Sequence, residues 1–144
     1  MNALGRPDDA LAEIERSLTM ATATGSNKYV AKAHALRGHV AMAAGQWAAA
    51  ERDLGDGLAM AQRIGYPTLI WQCAHALSNV LASRAEREPG ARDGRERAFA
   101  MVRLAADTIN AVAERLPEAA LTMSFLSWSK VQAVQADLDR LRRG

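Results

Sequence analysis

Only one cysteine, Cys73, occurs in the 144 residues, so no internal disulfide can form, which fits a reducing compartment. Aromatic residues make up only 5% of the chain, and no stretch alternates apolar and polar residues with the Val, Ile or Tyr enrichment of a strand. Sheet is therefore not expected. No apolar run approaches the roughly 20 residues of a membrane span, and the start, MNALGRPDDAL, has no apolar signal-peptide core. A cytoplasmic protein without membrane contact is the expectation. Neither sign of charge dominates: 18 basic and 16 acidic side chains leave a formal charge of +2. A dedicated nucleic-acid binder would carry a one-signed stripe, so nucleic acid is not an expected partner.

What the chain has in quantity is alanine, the residue most compatible with helix and with close helix contacts. Its pattern repeats. Ala3-Leu4-Gly5 and Leu18-Thr19-Met20-Ala21 match Ala43-Ala44-Gly45 and Leu58-Ala59-Met60-Ala61, and Ala33-His34-Ala35-Leu36 returns as Ala74-His75-Ala76-Leu77. The unit is therefore about forty residues long, and repetition at that length marks a stacked helical array.

Helix starts and stops divide the array. Pro7, Asp8 and Asp9 suit a first turn, and the helix they open has Ala10, Leu11, Ile14, Leu18 and Ala21 on one stripe before Gly25 stops it. Tyr29–Ala44 and Trp47–Ile64 form the central helix pair, with turns at Gly45 and Gly65. A further pair runs from Thr68 to Arg87 and from Arg95 to Leu116, joined by a polar loop at 88–94. Pro117 is expected at the start of a following helix, and a last helix carries Val131, Val134, Leu138 and Leu141 at 3-4-3 spacing. The expected organisation is one domain: a half repeat 1–25, repeats 26–65 and 66–116, and a C-terminal cap 117–144. The half repeat leads to the expectation that the chain is a piece of a longer protein; the alternative is an open apolar face at that end.

Gly38, Ala50, Leu54 and Gly57, with Ala98 and Ala105 in the next unit, resemble the small–large–small pattern of the tetratricopeptide repeat (TPR) family. The resemblance covers roughly Leu4 to Leu116 and implies an all-α, TPR-like superhelix: antiparallel helix pairs wound into a right-handed α-α solenoid. Departures are Ala41 in place of the usual aromatic, Arg37 where leucine is common, and a unit longer than the family's usual one. The run Ile64–Gln72 with Ala74-His75-Ala76-Leu77, and Leu116-Pro117 leading to Phe125-Leu126, is similar to the C-terminal repeats of large bacterial signalling proteins. In those, a TPR array follows an ATPase domain, often with a nucleotide cyclase or helix-turn-helix domain. The resemblance implies a regulatory, non-catalytic protein-interaction module, with such a domain of the same system as one conceivable partner.

Carried onto this chain, the TPR positions place Lys32, His39 and Met42 in the concave groove, with Cys73, Val80, Ser83 and Arg84 as their counterparts in the next unit. The expected occupant is a protein or peptide, helical or extended, and of mixed or apolar character rather than a carboxylate terminus. Rival readings are an array closing on a small-molecule effector, a self-associating domain using the N-terminal half repeat and the tail, and a groove left empty or filled by the chain's own tail.

Enzyme chemistry finds little support in the residues. His34 and His39, five apart on a helix, diverge and cannot chelate as an i, i+4 pair would. His34 and His75, taken as equivalent repeat positions, suggest packing or hydrogen bonding between repeats. Cys73 has no nearby activating base in sequence, and the Gly55-Asp56-Gly57 run lacks a following Gly-Lys-Ser/Thr. Asp8/Asp9, Glu13/Glu15 and Asp53/Asp56 read as solvated helix faces. No catalytic residue, cofactor or metal ligand is expected.

Overall fold

In the computed structural model, which describes residues 7–87 and 92–143, one turn is built three times, twenty residues apart. Gly25, Gly45 and Gly65 each have φ near +70°, a conformation open to glycine without a Cβ penalty. At each turn the residue after the glycine donates its amide back to an alanine carbonyl five residues earlier: Ser26 to Ala21 at 2.9 Å, Gln46 to Ala41 at 2.9 Å, Tyr66 to Ala61 at 3.0 Å. The carbonyl of that same residue then accepts from Val30, Ala50 or Ile70 and opens the next helix. At these three turns the closing bond of one helix and the opening bond of the next thus meet in a single residue.

These turns separate α1 (Pro7–Thr24), α2 (Asn27–Ala43), α3 (Trp47–Ile64) and α4 (Pro67–Arg87). At the next twentieth place stands Ala85, not glycine, and α4 runs on to 21 residues where α2 has 17. After it come α5 (Arg92–Arg115), α6 (Ala119–Leu126) and α7 (Ser129–Arg143). The described residues hold seven α-helices and no strand, so the fold is all-α. Residues 1–6 and 88–91, where the first turn and most of the polar loop are expected, lie outside the described residues. Pro117 precedes rather than opens α6, with Glu118 at the N-cap.

Successive helices pack in chain order from α1 to α5, most closely within the pairs α2/α3 and α4/α5, and α7 then docks on α5. The small residues set these distances. A Cβ at Gly38 would lie 2.7 Å from Leu54 Cγ, and one at Gly57 would lie 3.2 Å from the Ala31 carbonyl oxygen. Either would force the helices apart. Gly55 has open space around it, and nothing in the structure explains it. The core gathers Leu54, Trp71, Val80, Val102, Ile109 and, from the tail, Val131, Val134 and Leu138.

One expected surface group is buried. Asp53 is 2% exposed, and Arg37 donates to both its oxygens, from Nε at 3.0 Å and Nη2 at 2.8 Å. The pair explains why an arginine stands where an apolar residue is expected: a buried carboxylate needs a paired, hydrogen-bonded cation. Asp56 and the Asp9, Glu13 and Glu15 positions are exposed. No helix among the described residues is long and apolar enough to cross a membrane.

Candidate functional site: a three-helix trough

Helical periodicity builds three facing stripes. On α2, Lys32, Leu36 and His39 recur at spacings of four and three; on α4, Thr68, Gln72, His75 and Asn79 do the same; on α7, Lys130 and Ala133 are three apart. The stripes enclose two adjoining cavities. One, of about 360 Å³, is lined by residues including Lys32, Leu36, His39, Tyr66, Gln72 and Cys73. The other, of about 230 Å³, is lined by residues including His39, Met42, Trp71, Gln72, Asn79 and Lys130. They share His39 and Gln72 and form one trough.

Helix α7 walls the second cavity. It is fixed by burial of Val131, Val134 and Leu138 and by a cross-link to α4, His75 Nε2 to Asp137 Oδ2 at 2.6 Å. Arg140 Nη2 donates to the other Asp137 oxygen at 3.0 Å. Burial raises the Asp137 pKa, but the hydrogen bonds from His75 and Arg140 outweigh it and hold it below the ordinary value. Opposite, burial and then the charge of Lys130 push His39 below the usual histidine range, so its ring is neutral at pH 7.

Of the expected groove residues, Lys32, His39, Met42 and Cys73 line the trough. Val80 is fully buried in the core and offers no surface to a partner. Ser83 is half-buried outside the trough lining, and Arg84 donates to Glu51 on α3 at 2.8 Å. The reason is a slip of one residue. Matching Ala-His-Ala-Leu places the second unit 41 residues after the first, whereas the glycine turns repeat after 40. One residue on a helix is a rotation of about 100°. In the register of the turns, Lys32, Leu36 and His39 correspond to Gln72, Ala76 and Asn79, and all six line the trough. His75 likewise corresponds to Ala35, not to His34. Lys130 and Ala133 had no signal in a local repeat, because α7 reaches the trough only through tertiary packing.

Burial pushes the Cys73 thiol up to about 11, so it is protonated and not a nucleophile at neutral pH. His34 Nδ1, Asp53 and Asp56 form a cluster whose ligand atoms lie within 4.8 Å of one another. Arg37 already meets the Asp53 charge there, with two hydrogen bonds, so the cluster reads as an ion pair with a histidine beside it. Comparison with protein-family models and with curated proteins finds no match to this chain. The trough sets lysine and amide donors above an apolar floor.

Proposed function

We propose that the chain is a non-catalytic protein-interaction module, a TPR-like right-handed solenoid whose trough between α2, α4 and α7 holds a segment of a partner protein. The observation that carries the reading is the trough itself. Leu36 is 54% exposed there among lysine, amide and aromatic side chains that converge from three helices. The resemblance to bacterial regulators supports reading it as the regulatory part of a signalling or transcriptional protein in the cytoplasm. Selection of displayed random peptides tests this. Sequences enriched on the wild type should lose binding to a folded Leu36→Glu variant; equal binding to that variant would reject the trough as the site.

Self-association is a second reading, favoured by α6. None of its residues is buried, although it reads AALTMSFL, and Leu121, Met123 and Trp128 stand about half exposed or more. Light scattering across concentration decides it, since a strictly monomeric chain would exclude it.

A further inference from the structure

Charge is segregated at the trough in a way that the nearly neutral chain does not suggest. Neither cavity lining contains an aspartate or a glutamate, although the chain has 16 of them. Lys32 stands at one end and Lys130 at the other. Neither is in an ion pair among the described residues. Lys32 Nζ lies over the rings of Tyr29 and Tyr66, 5.6 and 5.9 Å from their centroids, and Lys28 Nζ lies 4.9 Å from that of Tyr66. These rings hold the lysines at the rim without neutralising them. Asp137 of the tail is already taken by the trough residue His75 and by Arg140. Beneath the α7 end, Trp71 is 1% exposed and its indole N–H has no acceptor. The trough thus offers positive charge and neutral polar groups, and no carboxylate in its lining.

Its length and lining select among anions. From Lys32 to Met42 along α2 is about 15 Å at the helical rise of 1.5 Å per residue, which matches four to five residues of extended chain. A single small acid would leave most of that length unfilled. Gln72 and Asn79, two turns apart on α4, present amides that donate to and accept from a backbone, a pairing a phosphate chain does not need. Leu36 and Met42 offer apolar contact between the lysines.

Resting on the reading of the trough as a partner site, we infer that its occupant is an acidic, extended internal peptide segment. One apolar side chain lies against Leu36 and Met42, and aspartates or glutamates flank it toward Lys32 and Lys130. Charge complementarity of this kind sets partner choice and association rate, and salt weakens it.

Two pools of fluorescent hexapeptides test the inference, both acetylated and amidated so that only side chains carry charge. Each has a central leucine, flanked by Asp/Glu in one pool and by Lys/Arg in the other. The acidic pool should bind the full chain at least about tenfold more tightly, and raising salt from 50 to 300 mM should weaken it several-fold. Lys130→Glu should lower acidic binding about tenfold and raise basic binding, with the helical circular dichroism unchanged. Equal binding of both pools that Leu36→Glu still abolishes would overturn the acidic class and leave the trough reading standing. No trough-dependent binding of either pool would overturn both. Binding only of peptides with a free C-terminal carboxylate, or displacement by a single-stranded oligonucleotide where the acidic pool does not bind, would overturn the internal acidic segment.

Discussion

Helices α2 and α4 both carry Ala-His-Ala-Leu, yet Leu36 is 54% exposed in the first and Leu77 is 7% exposed in the second. The histidines differ as well. His34 lies beside Asp53 of its own helix pair, at 3.7 Å, and His75 reaches across to Asp137 on the tail. Four identical residues therefore end up in different surroundings, because their distance from the preceding turn differs by one. Leu36 is the eleventh residue after Gly25, and Leu77 the twelfth after Gly65. The turn sets the azimuth of every side chain that follows, and a local word shared by two helices does not.

The largest expected effect separates the two leucines directly. Leu77→Ala removes a buried side chain and should cost about 3 kcal/mol in urea unfolding, whereas Leu36→Ala should change stability by less than about 0.5 kcal/mol. Similar costs at the two sites would erase the distinction between them. Cys73 lies four residues before Leu77, on the same inner side of α4. With its pKa pushed from 9.0 to about 11, it has about a hundredfold less thiolate at pH 8, and a disulfide reagent should modify it at least that much more slowly in buffer than in denaturant. Rapid native labelling would place Cys73 at the surface instead.

The third comparison is between pairs. Arg37 on α2 corresponds in the turn register to Leu77 on α4, and Asp53 on α3 corresponds to Met101 on α5 by the spacing that matches Ala50 and Gly57 with Ala98 and Ala105. Arg37→Ala leaves the Asp53 carboxylate buried without its guanidinium and should cost about 2 kcal/mol, reduced from the fully buried case because Arg37 is partly exposed. The double variant Arg37→Leu/Asp53→Met copies the second helix pair and should recover most of that stability. Failure to recover would mean that the two pairs are not interchangeable.

The smallest effect is in pH. His39 has its pKa below the unfolded value, so the unfolded chain takes up its proton first as pH falls through about 6.5, and stability declines from there toward the folded pKa. His39→Gln should flatten that decline between pH 7.5 and 5.5. Asp137 is depressed and contributes in the usual carboxylate sense: its share is present above its unfolded pKa of about 3.8 and disappears at more acid pH. A wild-type profile that matches His39→Gln would remove His39 from the account.

The helices were legible because their signals are local. Gly25, Gly45 and Gly65 end three of them, and Ile14, Leu54, Val102 and Val134 mark stripes that the core then buries. The trough was half legible. The α2 stripe of Lys32 and His39 follows from helical spacing, but the α4 stripe depends on choosing forty over forty-one, and the repeated histidine motif argued for the wrong one. Asp53 could not be seen as buried from its own helix, since Arg37 reaches it from sixteen residues away. Hydrophobicity misleads at the tail too. The apolar α6 has no fully buried residue and packs only Phe125 partly on the core, while the charged α7 buries Val131, Val134 and Leu138, because three apolar residues on one stripe count for more than a run around the whole helix.

The identical joints at Gly25 and Gly65 make Ser26–Gly65 a cassette of forty residues that begins and ends on the same backbone geometry. Its two seams also agree. Ile14, Ser17, Leu18 and Ala21 of α1 stand forty residues before Leu54, Gly57, Leu58 and Ala61 of α3, so α3 can receive a second copy of α2 on the surface type that α1 gives the first. A chain spliced to carry the cassette twice would lengthen without a new joint, and each added copy would extend the trough by one more lysine, leucine and histidine.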